Sequence, residues 1–274
     1  MKLAYQISQR DVRVEKNITS YHGDYETCFK RVRECGYDGV EIMVANPDKV
    51  DTTTICALSQ KYELEIPMIC TGEIGGAGFT FSSLDDDMRL EALRRAKGCV
   101  DIAAALGGHI NIGRIRGSID IFSAERSRER AVTALIELTK YATEKSVRVA
   151  LEPINSIVTN FINTTYEGLA LVREIGLPMF EIMLDLQHMY LEDADIVESI
   201  IAARDVVKYI HVMGSNRLIP GTGNSLLDIK RTIRTLHDIG YNGYLTVEIF
   251  QRPNQEVALQ KSYEYLEPLV REYR

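Results

Sequence analysis

The chain alternates short apolar runs with longer amphipathic segments from its first residues to its last. Eight apolar runs are predicted as strands, at 2–8, 39–44, 65–70, 109–113, 147–153, 180–186, 206–213 and 244–250. Eight helical patterns accompany them, near 24–35, 48–62, 85–106, 123–145, 165–175, 195–203, 226–239 and 254–271. The apolar runs lack clean polar alternation, which is typical of parallel strands buried on both faces. Strict alternation of strands and helices leaves two architectures, an open doubly wound sheet or a closed barrel.

The number of repeats favours the closed form. Eight strand–helix units within 274 residues are the size of a (β/α)8 barrel. No linker and no low-complexity segment interrupts the pattern, so residues 1–274 are predicted to form a single domain of α/β class, a TIM barrel. The segments ECGYDGVEIMV (34–44) and DIGYNGYLTVEIF (238–250) read alike, which agrees with a repeating unit.

Composition excludes several classes of function. A net charge of -7 argues against a nucleic-acid partner, which would need a basic face. The five cysteines show no CxxC spacing, which speaks against a disulfide framework or a zinc knuckle and fits a reducing cytoplasm. No apolar run reaches about 18 residues, so no membrane span is expected.

In a closed barrel, function lies at the carboxyl ends of the strands, and four of the predicted strands end in ligand-type residues. These are Glu152, Asp185, His211 and Glu248, each about one strand–helix unit from the next. A carboxylate in an apolar strand is costly unless it is paired or bound to a metal. Three carboxylates with one imidazole suit Mn²⁺, Mg²⁺ or Co²⁺ better than a structural zinc site.

The motifs around these residues resemble a known family. LEPIN, MLDLQHM, HVMGSNRLIPGTG and GYNGYLTVEIF occur in this order, and together they resemble the sugar isomerases and epimerases with xylose-isomerase-like barrels, above all the ketose 3-epimerases. The resemblance is dense over 147–252. In the first half it rests on the strand–helix rhythm and on GYDGVEI.

The resemblance implies a cofactor, a substrate class and roles for individual residues. Glu152, Asp185, His211 and Glu248 would bind one divalent ion, Mn²⁺ first, with Mg²⁺, Co²⁺ or Zn²⁺ as alternatives. Glu152 and Glu248 would exchange protons with a carbohydrate substrate. His188 and Arg217 would contact substrate oxygens. Apart from the resemblance, Glu41 lies at the end of the second predicted strand and is a candidate to face the cavity, either in contact with the substrate or behind the ligands. By analogy the protein would be a homo-oligomer, a dimer or a tetramer.

Three positions depart from the family pattern. Val158 stands where an acid is usual, Ser156 where a base is frequent, and Gly214 where an acid is often found. These changes leave the metal ligands intact and leave the sugar specificity open.

Several reactions are compatible with the same residues. Two carboxylates on opposite faces of an enediolate serve epimerisation and aldose–ketose isomerisation equally. A dehydratase of an inosose- or dehydroshikimate-like substrate and a non-catalytic binding barrel also remain open. An apurinic-site endonuclease would need several zinc ions and a basic surface, which five histidines and the acidic charge do not favour. The glycine-rich segment 71–79 is expected to be a lid or a mobile loop.

Overall fold

The computed structural model describes residues 1–9, 12 and 18–273. Within these residues, nine parallel strands form one sheet: β1 (Lys2–Ser8), β2 (Tyr21–His22), β3 (Gly39–Met43), β4 (Glu65–Cys70), β5 (His109–Ile112), β6 (Val149–Leu151), β7 (Phe180–Asp185), β8 (Val207–Val212) and β9 (Tyr244–Val247). Eight of them follow one another around a barrel, and the two-residue β2 pairs with β1 outside that ring.

Pairing between the first and last strands closes the barrel. Lys2 lies opposite Tyr244 and Tyr5 lies opposite Val247, so β9 is hydrogen-bonded to β1. An open doubly wound sheet would leave both of these edges unpaired. The predicted closed eight-stranded barrel is therefore confirmed.

Ten α-helices lie among the described residues: α1 (Tyr25–Cys35), α2 (Thr52–Tyr62), α3 (Gly72–Gly76), α4 (Asp86–Leu106), α5 (Ala124–Glu144), α6 (Thr165–Ile175), α7 (Leu186–Glu192), α8 (Ile196–Ala202), α9 (Ile229–Asp238) and α10 (Gln255–Arg271). Local sequence sets their ends. Helix α6 begins at a capping box between Thr164 and Glu167 and ends at Gly176, whose φ of 62° is left-handed. None of these helices has the length and apolar character needed to cross a membrane.

The short helices α3 and α7 were not predicted. Segment 71–79, expected as a lid or loop, contains α3, which packs closely against the turn at Arg114–Arg116. A side chain on Gly75 would meet the backbone carbon of Arg114 at 2.4 Å, so only glycine permits this approach. Thr71 anchors the start of the segment, because its N–H donates to Asn111 Oδ1 at 2.9 Å.

The period of two along each strand places polar side chains at the carboxyl end of the barrel. One buried apolar cluster fills the interior, with Ala4, Met68, Ala150, Met183, Tyr209 and Tyr244 as its members. Side chains two positions further along the chain point to the same inner face, and these are Gln6, Glu152, Asp185, His211 and Thr246. The apolar layer is therefore the floor of a polar site.

Candidate active site

The four predicted ligands converge at this end of the barrel. Glu152, Asp185, His211 and Glu248 each offer one ligand atom, and these atoms all lie within 4.8 Å of one another. Strand register explains part of the convergence, because Asp185 on β7 lies directly opposite His211 on β8. Glu152 and Glu248 stand just beyond the last residues of β6 and β9.

The imidazole of His211 marks the centre of the cluster. Its buried Nδ1 has no hydrogen-bond partner. It faces Glu248 Oε2 at 3.2 Å, Asp185 Oδ2 at 3.7 Å and Glu152 Oε1 at 3.9 Å. A buried nitrogen without a partner is costly, and a cation held between it and the three carboxylates would satisfy all four groups. The residues present therefore fit a divalent metal ion.

The two carboxylate oxygens of Asp185 have different contacts. Its Oδ1 accepts the N–H groups of Gln187 and His188, both at 2.9 Å, and so caps helix α7. Its Oδ2 is left to face His211. The unpredicted helix α7 therefore has a role, because its cap fixes the orientation of a candidate ligand.

Glu41 lies behind His211, on the side away from the other three carboxylates. Its Oε2 is 2.8 Å from His211 Nε2, and its Oε1 accepts from Gln6 Nε2 at 2.9 Å. Glu41 is fully buried, and its two oxygens form hydrogen bonds with the side chains of His211 and Gln6. A carboxylate here requires Nε2–H on the ring, which leaves the Nδ1 lone pair for a cation.

Arg217 lies in the loop after β8, and its side chain extends over the cluster of candidate ligands. Its Nη1 donates to Glu248 Oε2, and its Nη2 donates to Asp185 Oδ2 at 3.0 Å. The same Nη2 lies 3.2 Å from His188 Nε2, and His188 Nδ1 lies 2.7 Å from Asn155 Nδ2. The two predicted substrate residues, Arg217 and His188, thus adjoin the candidate metal ligands and each other.

The pKa values of the two candidate acid–base residues, Glu152 and Glu248, are shifted in opposite directions. Burial raises the pKa of Glu152 to about 8, and the neighbouring carboxylates of Asp185 and Glu248 add to this effect. Burial also acts on Glu248, but the Arg217 guanidinium and His211 outweigh it and lower the pKa of Glu248 to about 2. Without a metal ion, Glu152 therefore holds a proton under conditions in which Glu248 is ionised.

The same charges act on the two histidines in opposite directions. Burial lowers the pKa of His188 to about 4, so this ring is neutral near pH 7. Burial opposes the charged form of His211 as well, but Glu41 and Glu248 outweigh it and raise the pKa of His211. A metal ion at Nδ1 must therefore displace a proton.

Four residues that contribute to the site were not singled out from the sequence: Gln6, Thr19, Gly113 and Asn155. Gln6 is a polar residue within an apolar strand, which is a recognisable signal. Asn155 lies inside the LEPIN motif. Gly113 matters because a Cβ there would lie 2.5 Å from Glu152 Oε2, so its lack of a side chain leaves room for this carboxylate. Thr19 lies in a loop and carries no sequence signal.

The departures Ser156 and Val158 lie in the loop after β6. Both the N–H and the hydroxyl of Ser156 donate to Glu192 Oε1 at 2.6 Å, which ties this loop to the end of α7. Val158 is 48% exposed and supplies no polar group. The loop after β6 therefore carries a half-exposed apolar side chain at the position where the resemblance leads us to expect an acid.

Comparison with known proteins assigns the fold family. The model of the xylose isomerase-like TIM barrel family matches residues 29–269, which is most of the chain. The chain belongs to this family. The expected family, with a xylose-isomerase-like barrel, is thereby confirmed.

Individual relatives of the chain within this family are epimerases. An L-ribulose 3-epimerase from Methylomonas sp. is 32% identical over 222 residues, covering 78% of this chain and 74% of that protein. A D-psicose 3-epimerase from Enterocloster bolteae is 30% identical over 241 residues, covering 84% of this chain and 78% of that protein. These relatives confirm the expected enzyme class, an isomerase or epimerase.

A solved structure supports the fold over the full length. D-psicose 3-epimerase with D-tagatose from Clostridium cellulolyticum H10 superposes with a TM-score of 0.83 at 22% identity, covering 100% of this chain and 99% of that one. The likeness extends to the first half of the chain, where the sequence resemblance is sparse.

Proposed function

We propose that this protein is a divalent-metal-dependent epimerase or isomerase of a sugar, a keto-sugar or a sugar phosphate, acting through a cis-enediolate. One observation carries the proposal: His211 Nδ1 faces the carboxylates of Glu152, Asp185 and Glu248 at the carboxyl end of the barrel. We favour epimerisation at carbon 3 of a ketose, because the relatives named above have that activity. Mn²⁺ is the first choice of ion, with Mg²⁺, Co²⁺ and Zn²⁺ as alternatives.

Glu152 and Glu248 act as the acid–base pair in this proposal. A divalent ion bound by the four ligands would supply charge to stabilise the enediolate oxygens of the substrate. Glu248, whose pKa is lowered, removes the proton next to the carbonyl. Glu152, whose pKa is raised, returns a proton to the opposite face. In the metal-free site, the two pKa values differ in the direction that favours this division of labour.

Arg217 and His188 orient the substrate. The Arg217 guanidinium has five N–H donors and can share them between the carboxylates and substrate oxygens. His188 is neutral near pH 7, so it can donate from one nitrogen and accept at the other. Asn155 contacts His188 Nδ1 and thereby restricts the orientation of the ring.

Proton exchange tests the reaction directly. The protein is loaded with Mn²⁺ and incubated in deuterated water with ketoses, aldoses and their phosphates. Deuterium uptake without a change of carbon skeleton, abolished in Glu152→Gln and Glu248→Gln, is the expected result. Loss of water from the substrate would instead indicate the dehydratase. Absence of uptake from every sugar tested would refute the proposed function.

Homo-oligomerisation is also proposed, with a second copy of the chain as the partner. Ile121, Phe122 and Ile157 are 75%, 91% and 85% exposed in loops after β5 and β6. Hydrogen bonds between Asn160 and the backbone of Ile119 join these two loops. The side chains project outward, so they suit another protein surface better than a small sugar. Phe122→Asp should shift the mass measured by light scattering towards the monomer; an unchanged mass would reject this surface.

We also propose that the protein is located in the cytoplasm. It is supported by the five cysteines, all of which are free thiols. A blocked fraction of these thiols in protein isolated without reductant, measured by thiol titration, would argue against it.

A further inference from the structure

The hydroxyl group of Thr19 lies between the side chains of Gln6 and Glu248. Thr19 Oγ1 is 3.1 Å from Glu248 Oε1 and 3.0 Å from Gln6 Oε1. The backbone holds Thr19 in place, because its carbonyl accepts the N–H of Ile249 at 3.0 Å, directly after Glu248. Thr19 is therefore attached to the end of β9 through both its backbone and its side chain.

The neighbours of Thr19 fix what its hydroxyl can do. Gln6 Nε2 donates to Glu41 Oε1, so the carboxamide oxygen of Gln6 must face Thr19. The hydroxyl thus has oxygen atoms on both sides but only one proton to donate. It can donate to Gln6 or to Glu248, and not to both at once.

The two oxygens of Glu248 have different surroundings. Oε2 accepts from Arg217 Nη1 and faces His211 Nδ1, so it belongs to the cluster of candidate ligands. Oε1 faces Thr19. Oε1 is therefore the oxygen that is left to receive a proton from a substrate.

We propose that Thr19 is a positioning residue for Glu248, serving both protonation states of this carboxyl group. When Glu248 is ionised, the hydroxyl donates to Oε1 and holds the carboxylate in place. When a substrate proton has moved to Oε1, the new O–H donates to Thr19, whose own proton turns to Gln6. Thr19 neither gains nor loses a proton. This inference rests on the proposed function of Glu248 as a base.

A pair of substitutions separates the hydroxyl from the shape of the side chain. Thr19→Val keeps the shape and removes the hydroxyl, whereas Thr19→Ser keeps the hydroxyl. Thr139→Val is the matched control, because the hydroxyl of Thr139 is buried and donates only within helix α5, to Leu135 O. Each variant is loaded with Mn²⁺, and its kcat, KM and metal dissociation constant are measured.

The expected result is a loss in kcat alone. Thr19→Val should lower kcat by about 10- to 100-fold, the size expected when a charged group loses a hydrogen bond. Its KM and Mn²⁺ affinity should stay within about threefold, and Thr19→Ser should recover most of kcat. A fully active Thr19→Val, a Thr19→Ser as impaired as Thr19→Val, or a loss in metal affinity alone would overturn the proposal.

A second measurement does not depend on finding the substrate. In the metal-free protein, Thr19→Val should lower the urea midpoint of unfolding more in the wild-type background than in Glu248→Ala, because the contact to Glu248 is already lost there. Equal shifts in the two backgrounds would show that Thr19 and Glu248 are not coupled, and the proposal would fail. Inactivity of the wild type on all sugars would count against the proposed function. The unfolding comparison would still show whether Thr19 and Glu248 are coupled.

Discussion

Glu41→Gln should weaken metal binding by changing which nitrogen of His211 carries a proton. Gln6 Nε2 donates to Glu41 Oε1, so a glutamine at position 41 must place its oxygen towards Gln6. Its NH₂ group then faces His211 Nε2, which lies 2.8 Å from the original carboxylate. Nε2 becomes an acceptor, and the ring proton moves to Nδ1, where it blocks a metal ion.

The magnitude follows from the position of the contact. The Glu41 side chain is fully buried, so no water can replace it as an acceptor. Loss of such a partner behind a ligating histidine costs about 10- to 100-fold in metal affinity, or about 1.4 to 2.8 kcal/mol. The substitution changes one atom and no volume, so we expect the fold to persist.

Competition with a fluorescent chelator measures the Mn²⁺ dissociation constant, and ¹⁵N spectra of the imidazoles report the tautomer. Glu181→Gln is the control, because Glu181 lies near the start of β7, at the opposite end of the barrel, beside Arg148. The reasoning is refuted if Glu41→Gln binds Mn²⁺ as tightly as the wild type, or if Glu181→Gln weakens binding equally.

Gly113→Ala would bring a methyl group to 2.5 Å from Glu152 Oε2, and moving this carboxylate by up to about 1 Å should cost about 100-fold in kcat/KM. Gly23→Ala meets only an ordinary contact at 3.5 Å and should behave as the wild type in the same steady-state assay. Mn²⁺ affinity should rise with pH, because the raised pKa of His211 means that its Nδ1 proton must leave when the ion binds. Titration calorimetry should show binding about tenfold tighter at pH 7 than at pH 6, and a flat profile would contradict the assigned ligands. Arg217→Lys keeps the charge but cannot bridge two carboxylates, so kcat/KM should fall about tenfold or more, and full activity would show that the bridge is dispensable.

The barrel and its candidate ligands could be predicted because both signals are local. Hydrophobic periodicity over about ten residues distinguishes strands from helices, and eight repeats leave little choice of architecture. A polar residue at the end of an apolar strand is visible in the sequence, as with Asp185 and His211. The predicted first and last residues of the strands agree less well with the structure. Residues 147–153 were predicted as a strand but β6 covers Val149–Leu151, since Pro153 has no N–H to extend the ladder.

The helices α3 and α7 were missed for a related reason. Both are shorter than the two to three turns that a periodic pattern needs before it can be recognised, and tertiary contacts stabilise them. Helix α7 depends on Asp185 as its cap, and α3 depends on the packing of Gly75 against Arg114. The sequence shows these residues but not that they meet.

The sequence alone determined the repeating strand–helix order and the residues that stand at the strand ends, because each depends on neighbours a few positions away. Only the tertiary structure decided how those residues are held. Thr19 contacts Glu248 across 229 positions, and Gln6 meets Glu41 because β1 and β3 pair in that register. Such contacts arise from register and from the closure of β1 against β9, and no local pattern in the chain encodes them.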